Sequence, residues 1–141
     1  MLVEFEVGNY LSFRDPMRLS MVAATPIKEF LEDNTFEAGR LRLLRSAVLY
    51  GANASGKSNL LQALVFMRWF VLGSSREMHV EKEIPVSPFK LDAATLDKPS
   101  RFEICFLHDD ARYRYGFEVD RKAIQREWLF RALKIKEEAL F

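Results

Sequence analysis

Residues 51–58 read Gly-Ala-Asn-Ala-Ser-Gly-Lys-Ser, an instance of G-x-x-x-x-G-K-[ST], and this spacing constrains the fold more than any other feature of the chain. Such a loop works by aiming backbone N–H groups and the start of a helix at an oxyanion. It therefore demands a strand before it and a helix after it. Ala47–Tyr50 supplies a strand pattern, and Asn59–Leu72 runs without Pro or Gly up to Gly73, which stands where a helix C-cap glycine belongs. The sequence predicts strand, loop and helix in that order.

Each loop position has a physical task. Gly51 and Gly56 let the backbone turn and approach phosphate with no Cβ in the way, so that the N–H groups of Asn53, Ala54, Ser55, Gly56, Lys57 and Ser58 converge on a β-phosphate. Lys57 is the candidate catalytic residue, a compact cation reaching the β- and γ-phosphates. Ser58 offers a hydroxyl to Mg²⁺ and is the candidate metal ligand. Ala52 and Asn59 complete the candidate cofactor-binding set. Asn53 either caps the loop internally or faces the γ-phosphate. The expected cofactors are ATP and Mg²⁺, and a loop that holds nucleotide without turning it over satisfies the same residues.

Length and charge narrow the rest. At 141 residues, 49% of them apolar, the chain reads as one globular domain, and 21 basic against 20 acidic residues leave no net field toward nucleic acid or membrane. Cys105 is the single cysteine and sits among apolar residues, which excludes an internal disulfide and reads as buried packing. Met1–Val7 carries Glu4 and Glu6 and lacks a signal pattern, while Leu60–Leu72 is too short to span a bilayer. No membrane association and a cytoplasmic location are expected.

Along the chain, Leu2–Val7 alternates, with Val3, Phe5 and Val7 on one side and Glu4 and Glu6 on the other. Gly8-Asn9 offers a turn, and Tyr10–Phe13 and Met17–Ala23 read as further extended segments, giving a small β meander. Thr25–Gly39 reads as a surface excursion or a short helix with loops, and Arg40, Arg42 and Arg45 as a solvated strand face. Ser74–Ser100 is loop-like. Arg101–Leu107 and Arg112–Val119 form the clearest hairpin, with His108–Ala111 as its turn. Asp109-Asp110 after an apolar run imitates the acidic end of a second ATPase strand, but an Asp pair before an alternating partner strand suits a turn. Ile124–Leu133 reads as a strand followed by a helix. His79 and His108 read as surface histidines.

A β meander, then a glycine-rich loop fifty residues in, then an antiparallel sheet resembles the ATPase heads of the ABC class, of the SMC and RecF kind. Phe5–Arg14, with Asn9-Tyr10-Leu11-Ser12-Phe13 inside it, is similar to their N-terminal signature. Tyr50–Leu60, Tyr113–Phe117 and Ile124–Leu129 are closer still to bacterial AAA-family ATPases related to the OLD and RloA-like proteins. The resemblance covers most of the chain and is strongest at residues 46–66.

The fold it implies is α/β with α+β elements: a P-loop NTPase lobe like an ABC-ATPase head, with an antiparallel β meander plus a P-loop strand and helix. The whole chain, 1–141, is expected to be a single N-terminal lobe of a longer ATPase, divided as 1–50, 51–73 and 74–141. Its final residues carry no cap or polar tail, and about 140 residues is small for a full P-loop ATPase core. The resemblance further implies a homodimer with ATP sandwiched between heads, Mg-dependent hydrolysis in the complete protein, a role in phage defence or DNA transactions, and an effector nuclease as partner. Arg14 becomes a candidate phosphate contact. A nucleotide-gated scaffold that recruits nuclease or DNA without turnover is the alternative, and a P-loop kinase or GTPase is disfavoured by the fifty residues before the loop. The Walker B acid, signature segment and switch histidine of such ATPases are not evident in the sequence.

Overall fold

The computed structural model describes residues 1–24, 29–73, 83–133 and 136–141. Alternation of apolar and polar side chains builds most of it. β1 (Leu2–Gly8) pairs antiparallel with β2 (Met17–Ser20) on one side and with β5 (Ser100–His108) on the other. β6 (Ala111–Val119), β7 (Ile124–Ala132) and the short β8 (Glu138–Ala139) follow, giving a six-stranded sheet in the order β2-β1-β5-β6-β7-β8 with every pair antiparallel. Two further strands, β3 (Thr35–Ala38) and β4 (Leu41–Leu44), form a separate hairpin after the single turn of α1 (Leu31–Asn34).

One face of the sheet is the main core. Phe5, Val7, Phe102, Phe117 and Val119 are buried there against Leu60, Ala63, Phe66, Met67 and Phe70 of α2 (Lys57–Gly73). The helical residues recur at three- and four-residue intervals, which puts them on one stripe. Aromatic rings do most of the filling: Phe70 stacks on Phe117 with centroids 4.5 Å apart, and Tyr10 meets Phe102 edge-on at 5.1 Å. The opposite stripe of α2 carries Leu61, Val65 and Leu72, each more than half exposed.

The other face of the sheet is a lattice of charge. Glu103 Oε2 accepts from Arg101 Nη2 at 2.9 Å, Arg114 Nη1 at 3.2 Å and Trp128 Nε1 at 2.9 Å. Arg101 also lies over the Trp128 ring and Arg114 over Phe130, 4.6 and 4.3 Å from the ring centroids. Gly116 makes room for this, because a Cβ there would come within 2.4 Å of Trp128 Cζ2.

Several expectations need correction. Ala47–Tyr50 is not a strand: residues 46–50 pair with no described strand, and Val48 and Tyr50 are 69% and 89% exposed. A lone extended segment has no ladder to satisfy its backbone, so β propensity alone does not make it a strand. Tyr10–Phe13 is a tight turn closed by Tyr10 N–H to Phe13 O at 2.9 Å, not an extended segment. A register shift between Leu2 and Glu4 turns Val3 away from Phe5 and Val7, to pack with Ala38, Leu43 and Cys105 on the other face. Ile124–Ala132 is strand throughout, with no helix. Cys105 is half-buried, and burial pushes its thiol pKa up. His79 and the rest of residues 74–82 lie outside the described residues, whereas His108 is exposed at the end of β5, as expected.

Candidate functional site

The loop from Gly51 to Ser58 lies where α2 meets the β1–β2 turn. Gly56 has φ +90°, and a Cβ on it would sit 2.8 Å from Ser12 Oγ and 3.4 Å from the Phe13 ring. A Cβ on Gly51 would fall 2.7 Å from Ser55 Oγ. Gly56 is thus held to glycine by its positive φ and by the Ser12 and Phe13 side chains, whereas a Cβ on Gly51 would displace the Ser55 hydroxyl. Ala54 adds a left-handed residue at φ +64° between them.

Lys57 curls back over the loop. Its Nζ donates to Gly51 O at 2.7 Å and Ala52 O at 2.6 Å, with Ser55 Oγ at 3.4 Å. The ammonium is therefore held on the loop's own carbonyls, at the surface. The first helical hydrogen bond recorded at this end is Leu60 N–H to Gly56 O at 3.0 Å, so the N–H groups of Lys57, Ser58 and Asn59 precede the intrahelical ladder. No acidic side chain occupies the first turn, which leaves the positive end of a 17-residue helix uncompensated. Ser58 and Asn53 are exposed at this end.

Asn59, expected among the nucleotide contacts, instead donates Nδ2 to Ser12 Oγ at 2.8 Å and braces the helix against the turn. Arg14 is directed elsewhere: its Nη2 lies 3.0 Å from Asp92 Oδ2 and its side chain is 60% exposed. Gln125 is bound to Asp120. The Asp109-Asp110 pair forms the β5–β6 turn, with φ +45° and +60° as a tight two-residue hairpin requires. β5 spans about 26 Å at roughly 3.3 Å per residue, and the loop sits at its other end, so these carboxylates do not serve it.

Two contributors lie outside the eight-residue motif, in the stretch that resembles the N-terminal signature. Ser12 is one. Asn9 is the other: at φ +49° it donates Nδ2 to the carbonyls of Thr95 (2.9 Å) and Lys98 (2.8 Å), accepts Phe89 N–H on Oδ1 at 3.1 Å, and takes the Ser100 hydroxyl on its own carbonyl. Asn tolerates the left-handed region and carries both donor and acceptor, which suits it to this hub. The Asn9-x-x-Ser12-Phe13 pattern was the available signal.

The donor set fits a polyphosphate. It offers one ammonium, open N–H groups and no carboxylate in the first helical turn, with a hydroxyl at Ser58 suited to a hard cation sharing phosphate oxygens. Among the described residues no three His, Cys, Asp or Glu side chains gather to hold a metal by themselves. No helix among them is long and apolar enough to cross a membrane.

A mixed α/β domain with an antiparallel sheet is consistent with a P-loop ATPase-like domain. The family profile described as "AAA domain, putative AbiEii toxin, Type IV TA system" matches residues 46–141. The chain belongs to this family, one of nucleotide-binding, ATPase-type domains. No curated protein matches the sequence.

Proposed function

We propose that Gly51–Ser58 is a Walker A loop that binds ATP with Mg²⁺, and that the complete dimeric protein, of ABC type, hydrolyses ATP to ADP and phosphate. The observation that carries this reading is the Lys57 ammonium seated on the Gly51 and Ala52 carbonyls at an uncompensated helix start. Lys57 would share its N–H bonds between those carbonyls and the β- and γ-phosphoryl oxygens, offsetting charge that builds there. The amides of Gly56, Lys57 and Ser58 would hold the β-phosphate in line with the helix. Mg²⁺ would be held by Ser58 and would neutralise the phosphate tail.

Equilibrium titration with a fluorescent ATP analogue tests it. A charge-assisted contact is worth about 1.5–3 kcal/mol, so Lys57→Ala is expected to weaken binding by about tenfold or more. Unchanged affinity would overturn the assignment. Competition by GTP stronger than by ATP would favour a GTPase or kinase instead.

The second reading is a nucleotide-gated scaffold without turnover. It rests on the same loop, whose ammonium and N–H groups can hold phosphate without an acid to activate water. Phosphate release at saturating ATP separates the two, since a scaffold binds and releases none. The resemblance to OLD- and RloA-like proteins, together with a family description naming a toxin and a Type IV TA system, supports a cytoplasmic role in antiviral defence beside an effector nuclease, with a second copy closing over ATP.

A further inference from the structure

A cleft of about 740 Å³ lies outside the P-loop, between the loop at residues 86–100 and the β6–β7 turn. Lys90 and Lys98 line one wall and Arg121 and Lys122 the other. On the charged face of the sheet every arginine discussed above has a carboxylate partner. Among the described residues none of these four cations has one within ion-pair distance.

Both walls are fixed before any ligand arrives. Asn9 pins the first wall through the carbonyls of Thr95 and Lys98, and Ile84 N–H donates to Arg121 O at 2.8 Å to dock that loop on the turn. The turn itself is tied by Asp120, whose Oδ1 accepts the N–H groups of Lys122 and Ala123 while Oδ2 accepts Gln125 Nε2. Those bonds, with the Lys122 charge adding to them, hold the Asp120 carboxyl below its ordinary range. Asp97 and Asp120 are the carboxylates in the lining, against four cations. Holding like charges together on rigid walls costs repulsion that an anion relieves, and preorganisation lowers the cost of binding it.

We infer that this cleft is a second anion site, independent of the nucleotide reading, that takes the phosphate groups of a ligand. The shared chemistry is the anionic phosphoryl oxygen, supplied by a nucleic-acid backbone or by a free oligophosphate. Val86, Leu96 and Val119 give it an apolar floor, and no aromatic side chain lines it for base stacking, so recognition falls on phosphate.

Two probes are applied to the Lys57→Ala protein, in which the P-loop contact is weakened and only the difference made by the cleft variants is read: a fluorescein-labelled oligothymidylate of about twenty nucleotides, by anisotropy, and inorganic tripolyphosphate, by calorimetry. At least one is expected to bind, about tenfold more weakly in the Lys90→Ala/Lys98→Ala and Arg121→Ala/Lys122→Ala pairs. For the oligonucleotide, the salt slope should fall by about 1.4 for each pair removed. Binding of oligothymidylate alone assigns a nucleic-acid backbone; binding of tripolyphosphate alone assigns a small phosphate ligand. Binding of neither, or equal binding by the paired variants, overturns the site. Gln replacements serve as the second set if the alanine pairs lower the melting temperature, and ATP binding on a wild-type Lys57 background should be unchanged by either set.

Discussion

Asn59 and Ser12, 47 residues apart in sequence, share a 2.8 Å hydrogen bond that fastens the first turn of α2 to the β1–β2 turn. Gly56 lies directly against the same hydroxyl. The loop is therefore braced from a part of the chain that holds none of its motif.

Removing the brace should loosen the loop without unfolding the core. Ser12→Ala leaves Asn59 without its acceptor, and a lost hydrogen bond of this kind costs about 0.5–1.5 kcal/mol. ATP affinity measured by titration should fall severalfold, and Ser12→Thr, which restores the hydroxyl, should recover most of it. Equal affinity in Ser12→Ala and wild type would show that the brace does not matter to binding.

Gly56→Ala tests the same contact from the other side. The new methyl meets Ser12 Oγ at 2.8 Å on a backbone with φ +90°, a conformation that costs a non-glycine residue about 1–3 kcal/mol. Nucleotide binding should be lost while far-ultraviolet circular dichroism stays that of the wild type. Retained binding would mean that the loop relaxes freely away from the turn.

The glycine-rich loop was visible in the sequence because its spacing is local: eight consecutive residues carry the whole of it. The β5–β6 hairpin was legible for a similar reason, since Phe102, Ile104, Tyr115 and Phe117 alternate cleanly onto the helix side. β7 was not, because Trp128 and Phe130 lie under arginines on the charged face while Leu129 faces the other way, and apolar residues on both faces erase a period of two. Val3 misled through a register shift that no side-chain pattern announces. The braces made by Asn9 and Ser12 depend on partners 47 to 91 residues away, and spacing along the chain does not report them.

Gly116→Ala should destabilise the sheet more than any surface change. Its methyl would press on the Trp128 ring at 2.4 Å and on the Phe102 carbonyl at 2.7 Å, and the backbone atom has no rotamer to yield. Overpacking of this kind costs about 1–3 kcal/mol. Urea unfolding followed by circular dichroism should show the unfolding free energy lowered by that amount, a midpoint shift of about 1 M at an m-value of about 1–3 kcal/mol/M, and an unchanged midpoint would contradict the tight seating of Trp128.

Acid should weaken the outer face through Glu137. Its carboxylate accepts from Arg114 Nη2 at 2.7 Å, and that bond, with the Arg112 charge adding to it, holds its pKa below the ordinary 4.5. The folded value lies below the unfolded one, so the stabilisation is fully present above about pH 4.5 and is lost as pH falls through the folded value. Melting temperature against pH should therefore drop on the acid side, and Glu137→Gln should lower the neutral plateau and shallow that drop. An acid limb of the same steepness in the variant would assign the loss to other carboxylates.

Trp128 has a consequence of a different kind. Its indole N–H points at the Glu103 carboxylate while the Arg101 guanidinium rests on its ring, so an ion of each sign sits at a fixed place around one chromophore. Light absorption redistributes electrons across the indole, and the colour of its emission follows the local field. The protein thus carries an intrinsic optical gauge of its charged face, distinct from the partly solvated Trp69 on α2, the only other tryptophan in the sequence.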